Sequence, residues 1–237
     1  MRALAIIPAR SGSKGLPDKN IKQFAGHPLM YYSIHAAIRS GMFDNVMVST
    51  DSEHYAAIAG ECGAEVPFLR STDASTDTAS SWDVVREVLR EYKSRGKEFD
   101  VVCLLQPTSP LRSEVDICDG FKLMEDTGSD TVVSVCEADH SPLWMNTLPE
   151  SLSMDGFIRK EVTNTGRQNL ETYYRINGAL YITKVSLLFA EDTIYKNSRA
   201  LIMPRDRSID IDTELDFVTA EAIYKNRLST ESIGQKE

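Results

Sequence analysis

Several things are missing from this chain of 237 residues. No apolar run approaches the ~20 residues a membrane-spanning helix needs, and the amino terminus passes straight into a strand pattern without a leader-like stretch. A cytoplasmic location is the resulting expectation. Cysteine is scarce: Cys62, Cys103, Cys118 and Cys136 show no C-x-x-C spacing, and Cys103 and Cys136 lie inside apolar runs, so they read as buried free thiols rather than a disulfide or zinc ligands. Basic charge is not in excess. With 26 Lys and Arg against 35 Asp and Glu, the net charge of -9 argues against nucleic acid as a general partner, because a binder of phosphate backbones usually shows a basic face. Two familiar phosphate loops are absent too. Gly15 is followed by Leu16 and Pro17, so there is no G-x-x-x-x-G-K-S/T, and Gly12 and Gly15 alone cannot make G-x-G-x-x-G. That sets aside the P-loop NTPases and the Rossmann dehydrogenases. No serine or cysteine nucleophile has an evident base, and His27, His35 and His54 fall on or beside helical patterns as structural residues.

What is present begins at Ala3. The run to Ile7 reads as a buried strand, and it empties into a loop carrying Arg10, Ser11, Gly12, Ser13, Lys14, Gly15 and Lys19. Glycines there let the backbone approach a ligand and turn successive N–H groups inward, while the three cations supply charge for a polyphosphate. A strand followed by a cationic glycine loop predicts an anion site.

Strand and helix patterns then alternate. Helical spacing covers Leu29 to Ser40 and closes at Gly41; Asn45 to Thr50 reads as a strand, Glu53 to Cys62 as a helix and Glu65 to Leu69 as a short strand. Ser80 to Lys93 is the clearest amphipathic helix. Val101 to Leu105 suits a strand covered on both sides, Glu114 to Met124 a helix, and Thr131 to Val135 another buried strand. Between Glu137 and Tyr174 the rhythm breaks, which predicts an excursion from the sheet over 138–173, serving as a lid, a dimer arm or both. It resumes with a strand over Gly178 to Thr183 and a last helix over Glu214 to Arg227. Together these predict one α/β domain over 1–228, with a mostly parallel sheet between two layers of helices, and a frayed tail over 229–237.

In such sheets ligands sit beyond the carboxyl ends of the strands. The residues following the strands are polar: Arg10 after the first, Ser49 to Asp51 after the second, Gln106 to Arg112 after VVCLL. From Ser71 to Ser81 the chain is almost free of apolar side chains, which suits either a base or sugar contact or the capping of the next helix. Ser208-Ile209-Asp210-Ile211-Asp212 places two carboxylates on one side of an extended segment. Such a pair repels itself and is satisfied by a hard divalent cation, here Mg2+. Alternatively Asp212 or Thr213 caps the following helix. A phosphate loop, a polar patch and a carboxylate pair favour transfer of a nucleotidyl group by alignment and charge neutralisation.

Five stretches in this order, IPARSGSKGLPDKN, DTASS, LLQPTSPLR, YRINGALYI and SIDIDTELD, resemble the acylneuraminate cytidylyltransferases, the CMP-sialic acid synthetases. The resemblance implies a three-layer, Rossmann-like nucleotidyltransferase α/β fold and a homodimer whose protruding segment reaches over the partner's active site. It also implies a reaction of CTP with a nonulosonic 2-keto sugar acid, N-acylneuraminate in the first instance, to give the CMP-sugar and pyrophosphate. Carried over by position, Arg10, Ser13, Lys14 and Lys19 would hold the triphosphate, Asn20, Arg70, Ala79 and Ser81 the cytidine, and Gln106, Arg175, Asn177 and Tyr181 the sugar acid. Arg167 would reach in from the dimer arm, Asp210 and Asp212 would bind Mg2+, and Asp210, Arg10 and Lys19 would be catalytic. One position departs from the pattern: Trp144 stands where sialic-acid-using members often carry a lysine, which favours legionaminate, pseudaminate or the deaminated sugar. A sugar-1-phosphate nucleotidyltransferase on the same fold is a further alternative, and a non-catalytic nucleotide-binding module, against which the retained Asp210 and Asp212 argue, is another.

Overall fold

The computed structural model describes residues 1–12, 15–76, 80–162, 166, 169–190 and 194–234. Of the predicted site residues, Ser13, Lys14, Ala79 and Arg167 lie outside this set. The chain runs β1 (Ala3–Pro8), a small antiparallel pair β2 (Gln23–Phe24) and β3 (His27–Pro28), α1 (Leu29–Ser40), β4 (Asn45–Ser49), α2 (Glu53–Glu61), α3 (Ser81–Ser94) and β5 (Val101–Leu104). It continues with α4 (Glu114–Thr127), β6 (Thr131–Glu137), β7 (Tyr174–Lys184), the single turn α5 (Val185–Leu188), β8 (Ser198–Ile202) and α6 (Glu214–Gly234). Sequence periodicity located most of these elements. It does not foretell β8, whose residues are mostly exposed on the sheet edge, nor the two-residue strands. The expected strand over Glu65 to Leu69 is reduced to a single bridge between Met47 and Glu65. The final helix continues to Gly234, past the point where the apolar pattern fades.

Six strands form the main sheet in the order β4-β1-β5-β7-β6-β8. Neighbours pair in parallel except at β7, which runs antiparallel to both β5 and β6. Alternate side chains of β1 serve opposite layers: Ala3, Ala5 and Ile7 join Met30, Ile34, Ile117 and Phe121 from α1 and α4, while Leu4 and Ile6 join Val85, Val88 and Tyr92 from α3. Val101 and Cys103 against Val102 and Leu104 repeat the division in β5. Each Val, Leu, Ile, Met or Phe among them, once fully buried, stabilises the fold by about 1.5–3 kcal/mol. A third apolar cluster ties the loop after β1 to α6 through Leu16, Phe24, Tyr32, Ile211 and Phe217.

Two helix starts are fixed by reciprocal caps. Ser80 and Asp83 bond each other's backbone at the head of α3, and Thr213 and Asp216 do the same at the head of α6. Thr213, not Asp212, is therefore the cap, which leaves the Asp212 side chain for other work.

The antiparallel direction of β7 decides where the site lies. Its first residues, Tyr174 to Gly178, arrive at the edge of the sheet where β1, β4 and β5 end. Because β6 and β7 are antiparallel neighbours, the excursion over 138–173 leaves and returns at that same edge. Its neck is closed by Ala138 N–H donating to the Tyr173 carbonyl at 2.8 Å, and by the pairing of Glu137 with Tyr174. Trp144 sits half-buried in a short 3-10 turn, Pro142–Trp144, within it.

Candidate active site

Beyond the carboxyl ends of β1 and β5 opens a cleft of about 620 Å³. It is lined by Arg10, Gly15, Lys19 and Asn20 from the first loop, Arg70, Ala74 and Thr76, Ser81 and Val84 of α3, Gln106 to Thr108 after β5, and Asp210, Asp212 and Thr213. Eight of the predicted residues are thus brought together: Arg10, Lys19, Asn20, Arg70, Ser81, Gln106, Asp210 and Asp212. Three cations, Arg10, Lys19 and Arg70, face two carboxylates, in a protein whose net charge is -9.

The first loop is stitched to the carboxylate segment by close contacts. Lys19 Nζ donates to the Ile211 carbonyl at 2.8 Å and to Asp212 Oδ1 at 3.0 Å, and Lys22 pairs with Glu214 at 2.6 Å. Gly15 lies so near that a Cβ there would stand 2.8 Å from the Asp212 carbonyl oxygen. Only a residue without a side chain allows this approach. Inside the loop, the Asn20 amide donates to the Arg10 carbonyl at 3.1 Å, and the Ser11 N–H and hydroxyl both reach Asp51, at 2.8 and 3.0 Å. Arg10 itself reaches the Ser75 carbonyl at 3.3 Å.

Arg70 is buried and anchored, with Nε on Ser49 Oγ at 3.1 Å and Nη2 on the Ser49 carbonyl at 2.7 Å. Burial lowers its pKa to about 10, with Asp51 and Glu87 opposing and Arg10 adding to the effect, so the charge persists at neutral pH. Ala74 and Val84 supply apolar wall. No sequence signal separates them from ordinary core residues.

At the far end, Asp210 is held by the Thr108 hydroxyl at its side chain and by the main chain on either side. Ile211 N–H donates to the Thr108 carbonyl at 2.8 Å, which pins the segment against the loop after β5. The buried Oδ1 of Asp210 has no hydrogen-bond partner among the described residues. Burial pushes its carboxyl above the usual carboxylate range, and Asp212 adds to the shift, while the Thr108 hydroxyl, Lys19 and Arg175 oppose it. A buried carboxylate oxygen with no donor is a vacant acceptor, and a hard cation fits it. Among the described residues, no group of three or more His, Cys, Asp or Glu gathers here. A metal held by Asp210 and Asp212 would therefore draw its other oxygens from ligand and water, as Mg2+ commonly does.

Three of the residues assigned to the sugar acid stand outside the cleft lining. Tyr181 packs edge-on against Trp82 with centroids 5.8 Å apart, and Arg175 donates to the Ser208 carbonyl at 3.2 Å. Asn177 departs furthest from its assignment. It is 2% exposed, and its amide is committed inward to Ser134 and Ser208 rather than toward the cleft. The histidines behave as structural residues: His27 and His35 stack on either side of Tyr31 at 4.0 and 5.0 Å.

A layered α/β sheet with a cationic loop, a carboxylate pair and a cleft between them is a nucleotidyltransferase-type architecture. Comparison with known proteins specifies it. The cytidylyltransferase family profile matches residues 4–231, and the chain belongs to that family. It is 36% identical over 233 residues to the CMP-N,N'-diacetyllegionaminic acid synthase of Legionella pneumophila, covering 95% of this chain and 97% of that one. It is 38% identical over 224 residues to an N-acylneuraminate cytidylyltransferase of Streptococcus agalactiae, covering 92% of this chain but 52% of that longer protein. In fold it resembles a CMP:2-keto-3-deoxy-manno-octonic acid synthetase complexed with CTP, with a TM-score of 0.71 at 17% identity over 96% of this chain and all of the other. No helix among the described residues is long and apolar enough to cross a membrane.

Proposed function

We propose that the protein joins CTP to a nonulosonic, sialic-type 2-keto sugar acid, releasing pyrophosphate and forming the CMP-sugar. The observation that carries this reading is the stitching of a cationic phosphate loop to a carboxylate pair across one cleft, through Lys19 and Gly15. Arg10 and Lys19 align and neutralise the triphosphate, with Ser13 and Lys14 completing the loop. Asn20, Arg70, Ala79 and Ser81 receive the cytidine. Gln106 orients the acid; Arg175, Tyr181 and, from a partner's arm, Arg167 complete its pocket.

The acceptor hydroxyl on the sugar's anomeric carbon attacks the α-phosphorus of CTP. One P–O bond forms, the bond to the bridging oxygen breaks, and pyrophosphate departs. The hydroxyl proton is taken at the Asp210 carboxylate, whose buried setting favours the protonated form. Asp210 and Asp212 would hold Mg2+, which when bound neutralises charge on the phosphoryl oxygens. Lys19 holds Asp212 in register with Asp210.

N-acylneuraminate is the first acceptor to test. A second reading, a legionaminate-type acid, is favoured by Trp144 and by a relative matched over 97% of its length. Four free cysteines suit a reducing compartment such as the cytoplasm. Exposed Met145, Leu148, Leu152 and Met154 on the excursion suit its role as a homodimer arm.

The test is pyrophosphate release with CTP and Mg2+ against a panel of nonulosonic acids, with GTP and sugar phosphates as controls. Release with CTP and one acid is expected. Release only with another NTP and a sugar phosphate would overturn the reading.

A further inference from the structure

β7 carries an irregularity opposite Ser134. Val133 pairs with Tyr181 and Val135 with Ile176, so the single residue Ser134 faces all of Asn177, Gly178, Ala179 and Leu180. Such a bulge leaves backbone groups unpaired and needs something to fill it. Two side chains do. Ser134 Oγ donates to Asn177 Oδ1 at 2.6 Å and accepts from Leu180 N–H at 2.8 Å, while Asn177 Oδ1 also accepts from Ala179 N–H at 3.2 Å. The amide nitrogen of Asn177 donates to Ser208 Oγ at 2.9 Å and toward Met203 Sδ at 3.4 Å. All three residues, Ser134, Asn177 and Ser208, are buried. The capacity of the Asn177 amide is fully used within the protein, which leaves none for a substrate.

The bulge has a direction. With Asn177 turned inward, Gly178 takes φ +75, and a Cβ built on it would lie 3.6 Å from Gln106 Oε1 and 3.7 Å from Asp210 Oδ2. The main chain of β7 thus stands beside Asp210, in a left-handed conformation that favours glycine at 178. Ser208 is two residues upstream of Asp210 and is itself fixed, its hydroxyl donating to the Pro204 carbonyl at 2.8 Å. The segment is therefore held on both sides of Asp210: by Asn177 through Ser208 before it, and by the Thr108 carbonyl through Ile211 after it. Asp210 Oδ1 has no hydrogen-bond partner among the described residues and the Thr108 hydroxyl is the side-chain bond to this carboxyl, so its place rests largely on these two main-chain anchors.

We infer that Asn177, with Ser134 and Ser208, is a positioning clamp that fixes the Asp210 carboxylate, and not a sugar-acid contact. The inference rests on the reading of Asp210 as a metal-holding carboxylate. Partners bonded directly to a metal ligand, when removed, typically cost about 10- to 100-fold in metal affinity or activity; this network acts on Asp210 one step further out, through the main chain from Ser208. Ser208→Ala removes the acceptor from Asn177 and leaves the rest of the segment unchanged in bulk.

The experiment compares wild type, Ser208→Ala, Ser208→Thr and Asp210→Ala, reading Mn2+ binding to the CTP-loaded protein by electron paramagnetic resonance alongside kcat and KM. For Ser208→Ala, we expect Mn2+ affinity and kcat to fall about 10- to 100-fold, with KM for the acid within about twofold of wild type. Ser208→Thr, which keeps the hydroxyl, should recover most of both. A Ser208→Ala protein with wild-type Mn2+ affinity, or one whose main change is in KM for the acid, would overturn the clamp. Mn2+ affinity unchanged in Asp210→Ala would instead overturn the metal reading itself. If Ser208→Ala does not fold, Ser134→Ala tests the same network from its other end, with the same expectations.

Discussion

Replacing Gly15 with alanine tests the packing of loop against carboxylate segment at one atom. The added methyl would meet the Asp212 carbonyl oxygen at 2.8 Å, whereas ordinary contact begins at 3.4 Å. The obstacle is main chain and cannot rotate aside, so one backbone retreats by about 0.6 Å, the difference between those distances. The neighbouring Ile211 carbonyl is the acceptor for Lys19, and the Ile211 N–H is anchored on Thr108. The displacement therefore falls on Asp212 and on the Lys19 bridge. Overpacking of this kind costs about 1–3 kcal/mol in stability, and a misplacement of ~1 Å at reacting groups costs on the order of 100-fold. Scaled to the smaller shift, kcat should fall about 10- to 30-fold, measured as pyrophosphate release at saturating CTP and acid. Gly41→Ala is the control. That residue has φ +65 at the end of α1 and nothing within 4 Å of its Cβ position, so the change should cost about 1 kcal/mol through backbone strain alone and leave kcat unaltered. A folded Gly15→Ala protein with wild-type kcat, or equal kcat losses in the two variants, would refute the reasoning.

Asp210→Asn should abolish more than about 99% of turnover while raising the melting temperature in metal-free buffer. A carboxyl shifted up by burial favours the folded state only while protonated, so its charge destabilises the fold at neutral pH. Arg207→Ala strips a bidentate partner from Asp116, which is 3% exposed but keeps two donors on Ser113; thermal denaturation should show a loss of about 3 kcal/mol, the low end for a broken buried pair. Asp83, Asp216 and Glu221 are held below the usual carboxylate range, by the Ser80 hydroxyl, the Thr213 hydroxyl and the Ala25 N–H respectively. Their contribution is complete above the unfolded pKa and disappears as pH falls through the folded values, so Asp83→Asn should flatten the acid limb of melting temperature against pH below about 4. Leu152→Asp, at a residue 71% exposed on the excursion, should shift a dimer toward monomer in sedimentation velocity; a monomeric wild type would remove the arm's proposed role.

Much of the fold was legible because β1 and β5 are apolar on both faces and α3 carries a strong one-sided stripe. These are patterns that only a covered sheet and its helices produce. The edge strand β8 was not, since its exposed positions lack that signature, and neither was the reversed direction of β7, which periodicity does not encode. In the site, Arg10 and Lys19 could be read from charge in the loop after the first strand, and the Asp210–Asp212 pair from alternation in an extended segment before the last helix. Asn177 could not, because an amide committed to a buried bulge and an amide aimed at a ligand are the same letter in the same motif. Its neighbours Ser134 and Ser208 are equally ordinary in sequence, and only the bulge brings them together.

The neck between Ala138 and Tyr173 has one further consequence. Since the excursion begins and ends on adjacent strands, it is a single contiguous cassette plugged into the rim of the cleft. Its length and composition are free to vary without disturbing the register of the sheet. Yet Arg175 and Asn177 follow the socket by only a few residues, so a change in how the cassette is seated would reach the β7 bulge beside Asp210. Exchange of this one segment would thereby be felt at the β7 rim, while the bridge from Lys19 to Asp212 on the other side of the cleft is left as it stands.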